Sequence, residues 1–200
     1  MPFVVRDILG PEILLDDIEV ALQAEINDAL ASVYDALVSR DEERAERRQL
    51  PYVPMTYEEV PPDHFHVGNF PRQVLSEVPA EMYPYIVLAV EDMTPDAEST
   101  SHDHFTVFRQ ALAVHSLASA NNDEGSEIVY RRALRMAEAV HLVLATNPVA
   151  RKLLRGLPNP TRGQSSIPWT YRTKGRDNQR NWYQAVGLSY AIKIYTTSND

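Results

Sequence analysis

The sequence predicts an α+β domain: a mostly antiparallel sheet of about four strands with two main helices packed on one face. Three observations predict it. Two segments repeat apolar residues at intervals of three and four, the helical spacing. Three others, "YPYIVLAVEDM", "FTVFRQALAVHSLA" and "AVGLSYAIKIYT", are β-branched or alternate at the strand spacing. The stretches between them are polar or proline-rich, and no long crossover of the Rossmann kind is present. Each helix then offers one stripe and the last strand one face, so laying the helices against one side of the sheet is the economical packing. The 200 residues read as a single domain. It comprises a helix at 12–48, a Pro-rich loop at 51–83 and a sheet–helix–sheet core at 84–196, which includes a long loop at 155–184.

The first helix starts near Pro11 and Glu12. Leu15, Ile18, Leu22, Ile26, Ala29, Val33 and Leu37 make its stripe. Asp16, Asp17 and Glu19 sit early, where the helix dipole favours negative charge. The continuation "SRDEERAERRQL" keeps helical propensity but loses the stripe, so it is expected to project from the core or to fray. Pro51, Pro54, Pro61, Pro62, Pro71, Pro79 and Pro84 then punctuate the chain. Proline lacks a backbone donor and restricts the residue before it, which predicts loop or extended chain with a short helix at 71–78.

A buried strand is expected at about 84–91. After the polar turn "TPDAESTSHD" comes a longer strand with Phe108, Leu112, Val114 and Ala118 on one side; adjacent strands joined this way predict an antiparallel pair. Ser126 or Asp123 is placed to cap a second helix over 127–145. Its packing face is Val129, Ala133, Met136, Ala137, Val140 and Leu144, and Asn147-Pro148 closes it. A helical turn is expected at "VARKLLRGL" and a strand near "IPWTYR". In the final strand Val186, Leu188, Tyr190, Ile192 and Ile194 share one face.

Composition excludes several functions. Without cysteine there are no disulfides, thiolate metal sites or cysteine nucleophiles. The first residues read as no secretion signal, and no apolar run approaches the ~20 residues of a membrane-spanning helix. The net charge of −9 is divided unequally: residues 1–100 carry 6 basic and 21 acidic side chains, residues 101–200 carry 13 and 7. An acidic chain is a poor general nucleic-acid binder. Two unlike halves suit head-to-tail contact between copies, although solvated helix faces produce the same asymmetry.

Catalytic signals are weak. His64 with His66, and His102 with His104, are each two residues apart, a spacing that lets an extended segment grip one ion. Both pairs fall in expected loops, with no HExxH helix and no carboxylate at a recognisable interval. The expectation is therefore no metal, no cofactor and no catalytic residue; a small enzyme using these four histidines is the alternative. His115 and His141 read as hydrogen-bonded structural residues. There is no GxSxG, Walker A or GxGxxG motif, and the acid pairs Asp16-Asp17 and Glu58-Glu59 carry no acid–base signature. Arg131, Arg132 and Arg135 of "RRALR", on a helix otherwise devoted to packing, suit salt bridges or a subunit contact more than phosphate. Arg172, Lys174, Arg176 and Arg180 lie in the aromatic-interleaved stretch "RTKGRDNQRNW". That stretch suits either a nucleic-acid backbone or an acidic neighbour. These seven cations are the candidate interface.

Taken together, "YPYIVLAVEDM", "FTVFRQALAVHSLA", "EIVYRRALRMAEAVHLVLAT" and "AVGLSYAIKIYT" resemble the tail terminator (tail completion) proteins of long-tailed bacteriophages. The likeness covers roughly residues 12–40 and 84–196 and lies in element order and texture. The stretches 51–83 and 155–184 depart from it. It implies a small α/β protein, not an enzyme, that forms a homo-oligomeric ring, usually a hexamer, at the head–tail junction of the virion. Such a ring caps the tail tube protein, stops its polymerisation and meets the head–tail connector. It implies assembly in the host cytoplasm, DNA passing through the lumen without specific binding, and no membrane partner. A connector adaptor or stopper is the neighbouring alternative.

Overall fold

The structure, a computed structural model, describes residues 11–68, 82–95, 105–120, 125–153, 170–176 and 182–197. Helix α1 (Pro11–Arg47) leads through the short strand β1 (Phe65–Val67) to β2 (Tyr85–Pro95) and β3 (Phe105–Ala120). Helices α2 (Gly125–Thr146) and α3 (Pro148–Leu153) follow, then β4 (Thr170–Arg176) and β5 (Trp182–Thr197). The sheet order is β1-β2-β3-β5-β4. Four strands are antiparallel to their neighbours, as expected, and β1 adds a parallel pair with β2, which makes the sheet mixed.

The expected α2 face is buried in full: Val129, Ala133, Met136, Ala137, Val140 and Leu144 all belong to the main core. They meet Ile86, Leu88, Leu112, Val114, Val186 and Leu188 from alternate positions of β2, β3 and β5. Residues alternating with these are buried too. Val87, Leu117, Tyr183 and Ala185 form a second cluster with Tyr83, so the sheet is buried on both faces at its centre and not only under the helices. His115 lies in this layer, 2% exposed.

Several expected boundaries move. The loop expected at 51–83 contains β1, β4 overlaps the strand expected near "IPWTYR", and β5 begins at Trp182, inside the loop expected at 155–184. Strand ladders explain both: β1 is recruited by β2 over Ile86–Leu88, and β5 pairs with β3 as far back as Trp182. Gly68 ends β1 at φ +150°, where a Cβ would come within 3.1 Å of the His66 ring, so glycine fits this turn. The short helix expected at 71–78 and the cap Asp123 lie outside the described residues, and Ser126 falls inside α2.

Asn147 stops α2 and starts α3. Its Oδ1 accepts hydrogen bonds from the backbone N–H of Val149 (2.9 Å) and Ala150 (3.1 Å), as an N-cap does, with Pro148 in the first helical position. Its Nδ2 donates to Glu25 Oε1 at 2.7 Å and so ties this corner to α1.

The main departure concerns the end of α1. The segment expected to project from the core or to fray stays helical to Arg47, with most of its side chains exposed. Its buried face runs Leu15, Ile18, Leu22, Ile26, Leu30 and Tyr34. Seven residues past Tyr34 the same face carries Asp41, whose side chain is only 14% exposed because α2 meets it with arginines. The helix then closes in a Schellman turn. Gln49 adopts φ 54°, its N–H donates to Glu46 O (2.9 Å), and Leu50 N–H donates to Ala45 O (3.0 Å). Pro51 follows and forbids continuation.

A left-handed glutamine costs roughly 1 kcal/mol, partly offset by the chain entropy that glycine would add to the unfolded state. Gln49→Gly is therefore expected to stabilise the fold by about 0.5 kcal/mol. A rise in the urea midpoint checks this; a lowered midpoint would contradict it.

Candidate functional site

The second half of α1 and the start of α2 are joined by charge. Asp41 accepts hydrogen bonds from Arg135 and, at 3.5 Å, from Arg131. The Arg135 side chain is 7% exposed, and its guanidinium lies 4.5 Å from the centre of the Tyr34 ring. One turn nearer the start of α2, Glu127 is gripped by three cations. Arg48 Nη1 donates to both carboxylate oxygens (3.2 and 3.1 Å), Arg131 donates to Oε1, and Arg44 stands at 3.9 Å. These hydrogen bonds, Arg48 first and then Arg131, hold the Glu127 carboxyl below its ordinary range. Arg132 donates to Ser119 O at 3.1 Å and lies 4.0 Å from Glu58.

An extended strap crosses beside this network. It leaves the Schellman turn at Leu50 and is fastened again at Val60. There Asn27 pairs with both backbone groups: Val60 N–H donates to Oδ1 (2.9 Å) and Nδ2 donates to Val60 O (3.2 Å). Between the fastenings Tyr57 packs on Tyr34, with ring centres 5.2 Å apart. Among the described residues, no main-chain hydrogen bond reaches residues 52–59. The strap divides two openings. One, of about 490 Å³, is lined by Arg44, Arg48, Arg131, Arg132, Leu50 and Val53, among others. The other, of about 300 Å³, lies by Tyr34, Met55 and Arg135. Leu50 and Val53 are 58% and 76% exposed at the rim.

Of the seven candidate interface cations, Arg131, Arg132 and Arg135 converge here but turn inward, onto Asp41, Glu58 and Ser119. They serve first to hold the helices together. Arg172, Lys174 and Arg176 fall on β4, at the far edge of the sheet from α1, and Arg180 lies outside the described residues. Sequence reasoning found the "RRALR" arginines and missed Asp41, Glu127 and the strap. The available signals were an acid four residues beyond Leu37, the last apolar stripe residue, and Glu127, Arg131 and Arg135 spaced four apart on one helix face.

Among the described residues the histidines do not gather into a site. His64 Nδ1 is 3.1 Å from Pro84 O, and the His66 ring stacks on Tyr85 with centres 6.5 Å apart. His102 and His104 lie outside the described residues. Among the described residues no three His, Asp or Glu side chains gather as a metal site would require, and no helix is long and apolar enough to cross a membrane. His141 Nδ1 sits 3.2 Å from the Tyr190 hydroxyl on the core side of α2, the hydrogen-bonded structural role expected of it. Burial pushes the Tyr190 hydroxyl well above the ordinary tyrosine range.

Compared with known proteins, the chain matches no protein-family model and no curated protein sequence. The class that fold and site define is therefore an α+β domain with a mixed sheet, bearing an arginine-lined cleft beside an unpaired extended segment.

Removing one partner of a buried pair leaves the other charge uncompensated. Asp41→Ala is expected to destabilise the protein by about 3 kcal/mol and to open the last turns of α1 to amide exchange ahead of global unfolding. Retained protection at residues 40–47 would contradict this. For Glu127 the sign follows from its lowered pKa. The clamp contributes fully above the ordinary glutamate range and is lost as pH falls through the lowered value. Carboxyl-carbon NMR should show Glu127 titrating below the ordinary glutamate range, with Arg48→Ala moving it back up.

Proposed function

We propose that this chain is a phage tail terminator, a structural protein that assembles head to tail into a ring at the end of a tail tube. The observation that carries the reading is a separation of charge across the sheet. The solvent side of α1 presents Asp16, Asp28 and Asp35, and no lysine or arginine occurs between residues 7 and 39. This helix packs at the β1–β2 side. The opposite edge is β4, which carries Arg172, Lys174 and Arg176. Unlike surfaces at opposite ends of one protomer are what a heterologous, ring-closing contact uses. The resemblance in element order to tail terminators supports the same reading, and the net acidity suits a lumen through which DNA slides without being held.

In this reading the ring meets the tail tube protein on one side and the head–tail connector on the other. The protein acts by binding and by ending polymerisation rather than by catalysis. A connector adaptor is the second reading; it shares the unlike edges and would engage the connector and not the tube.

Electron microscopy of the purified protein, alone and mixed with short tail-tube assemblies, tests the proposal. Rings of one size seated on tube ends are expected. Rings that ignore tubes but bind the connector would establish the adaptor, and single particles that engage neither would overturn both.

A further inference from the structure

We infer that the opening beside Tyr34, Tyr52 and Tyr57 is a socket for a lysine side chain of a second copy of this chain, and that Lys174 of β4 is that lysine. The inference deepens the head-to-tail reading and rests on it: it names the point at which one protomer receives the next.

The socket is built from rings and one free carboxylate. The opening of about 300 Å³ has three tyrosines in its wall and three charged side chains, Asp35, Asp41 and Arg135. Tyr34 and Tyr57 lie with ring centres 5.2 Å apart and planes tilted by 47°. Arg135 shows what these rings attract: its guanidinium stands 4.5 Å from the centre of the Tyr34 ring and is bound to Asp41. That ion pair is complete. Asp35 is exposed and makes no hydrogen bond or ion pair among the described residues. An unpaired acid beside aromatic faces is a site for a cation. Lysine fits it, because its ammonium is a compact charge and its aliphatic stem can lie along Val38 and Met55, which also line the opening.

The surroundings carry the same sign. Helix α1 as a whole has 11 acidic and 3 basic side chains. The network and the openings bring Arg48, Arg131, Arg132 and Arg135 to it, with Glu58 and Glu127, which leaves 13 acidic against 7 basic. A cation approaching Asp35 is therefore drawn in by the whole helix, and a phosphate chain or an acidic peptide is repelled by it.

The chain itself supplies the occupant. β4 carries Arg172, Lys174 and Arg176 and no acid, and no acidic residue occurs between Glu138 and Asp177. β4 is an edge strand that pairs with β5 alone among the described residues. Its register with β5 is regular to Arg172 and resumes at Gly175, so Thr173 and Lys174 fall in a bulge. A bulge at a sheet edge interrupts the ladder and re-aims a side chain, which singles out Lys174 among the three cations. An acidic socket on α1 and a lysine at the far edge of the sheet are unlike surfaces of one protomer, as a heterologous contact between copies requires.

Sedimentation velocity of the whole protein over a range of concentrations is the test. The unaltered chain is expected to associate. Asp35→Lys should raise the concentration required about tenfold or more, and adding Lys174→Asp on the same chain should bring it back, since every head-to-tail contact then holds the swapped pair. Asp35 is exposed and unpaired, so the fold should survive, and circular dichroism checks this. Asp28→Lys reverses the same charge two turns earlier on α1 and is expected to weaken association less. Tyr52→Phe keeps the ring and should associate as the unaltered chain does, whereas Tyr52→Leu removes it and should associate more weakly. A chain that stays monomeric throughout overturns the inference together with the ring reading. Association that survives Asp35→Lys, that Asp28→Lys weakens equally, or that Lys174→Asp fails to restore overturns the socket and leaves the ring to another contact.

Discussion

A buried ion pair between the two main helices sets the helical layer. Asp41 sits between Arg131 and Arg135 and, with the clamp of Arg44 and Arg48 on Glu127, gives the second half of α1 its purchase on α2. The reason is length. At 37 residues α1 runs about 55 Å, while the 22 residues of α2 run about 33 Å. The shared apolar face ends at Tyr34. Beyond that point the helix would be an unsupported solvated rod, and a lone apolar residue at position 41 would face guanidinium groups. An acid there neutralises two arginines that α2 has already desolvated, and the Tyr34 ring supplies a further face for Arg135.

The strap and cleft inherit their geometry from that contact. Because the last turns of α1 are docked, the Schellman turn at Gln49 and Leu50 launches the chain across the helix pair and not into solvent. Asn27 then catches it at Val60, and Tyr57 lies against Tyr34. The unpaired strap is thus held open between two rigid points, with the arginines of α1 and α2 alongside. The arginines of this contact are committed to different degrees. Arg135 is committed to Asp41, whereas Arg44 and Arg48 share one glutamate and stay half in water.

The sheet contributes direction. Its order places β4 at the edge farthest from β1 and β2, the strands that α1 contacts. The middle strands are buried on both faces at the centre of the sheet. Under the tail-terminator proposal these ends would join copies.

The sequence by itself determined the element types, the antiparallel pairing of β2 with β3 and the whole packing face of α2. Each of these rests on local periodicity, and a stripe such as Val129, Ala133, Met136, Val140 and Leu144 is complete within one segment. What only the tertiary structure decided depends on partners distant in sequence. Asp41 meets arginines 90 and 94 residues away. β1 exists because β2 offers it a ladder, and the early part of β5 joins the sheet because β3 runs alongside it. The strap is the converse case: its prolines announce extended chain, but its lack of main-chain partners becomes visible only once every neighbouring element has taken its place. Local pattern specifies which face a residue takes; which charge it meets is set by the packing of the whole chain.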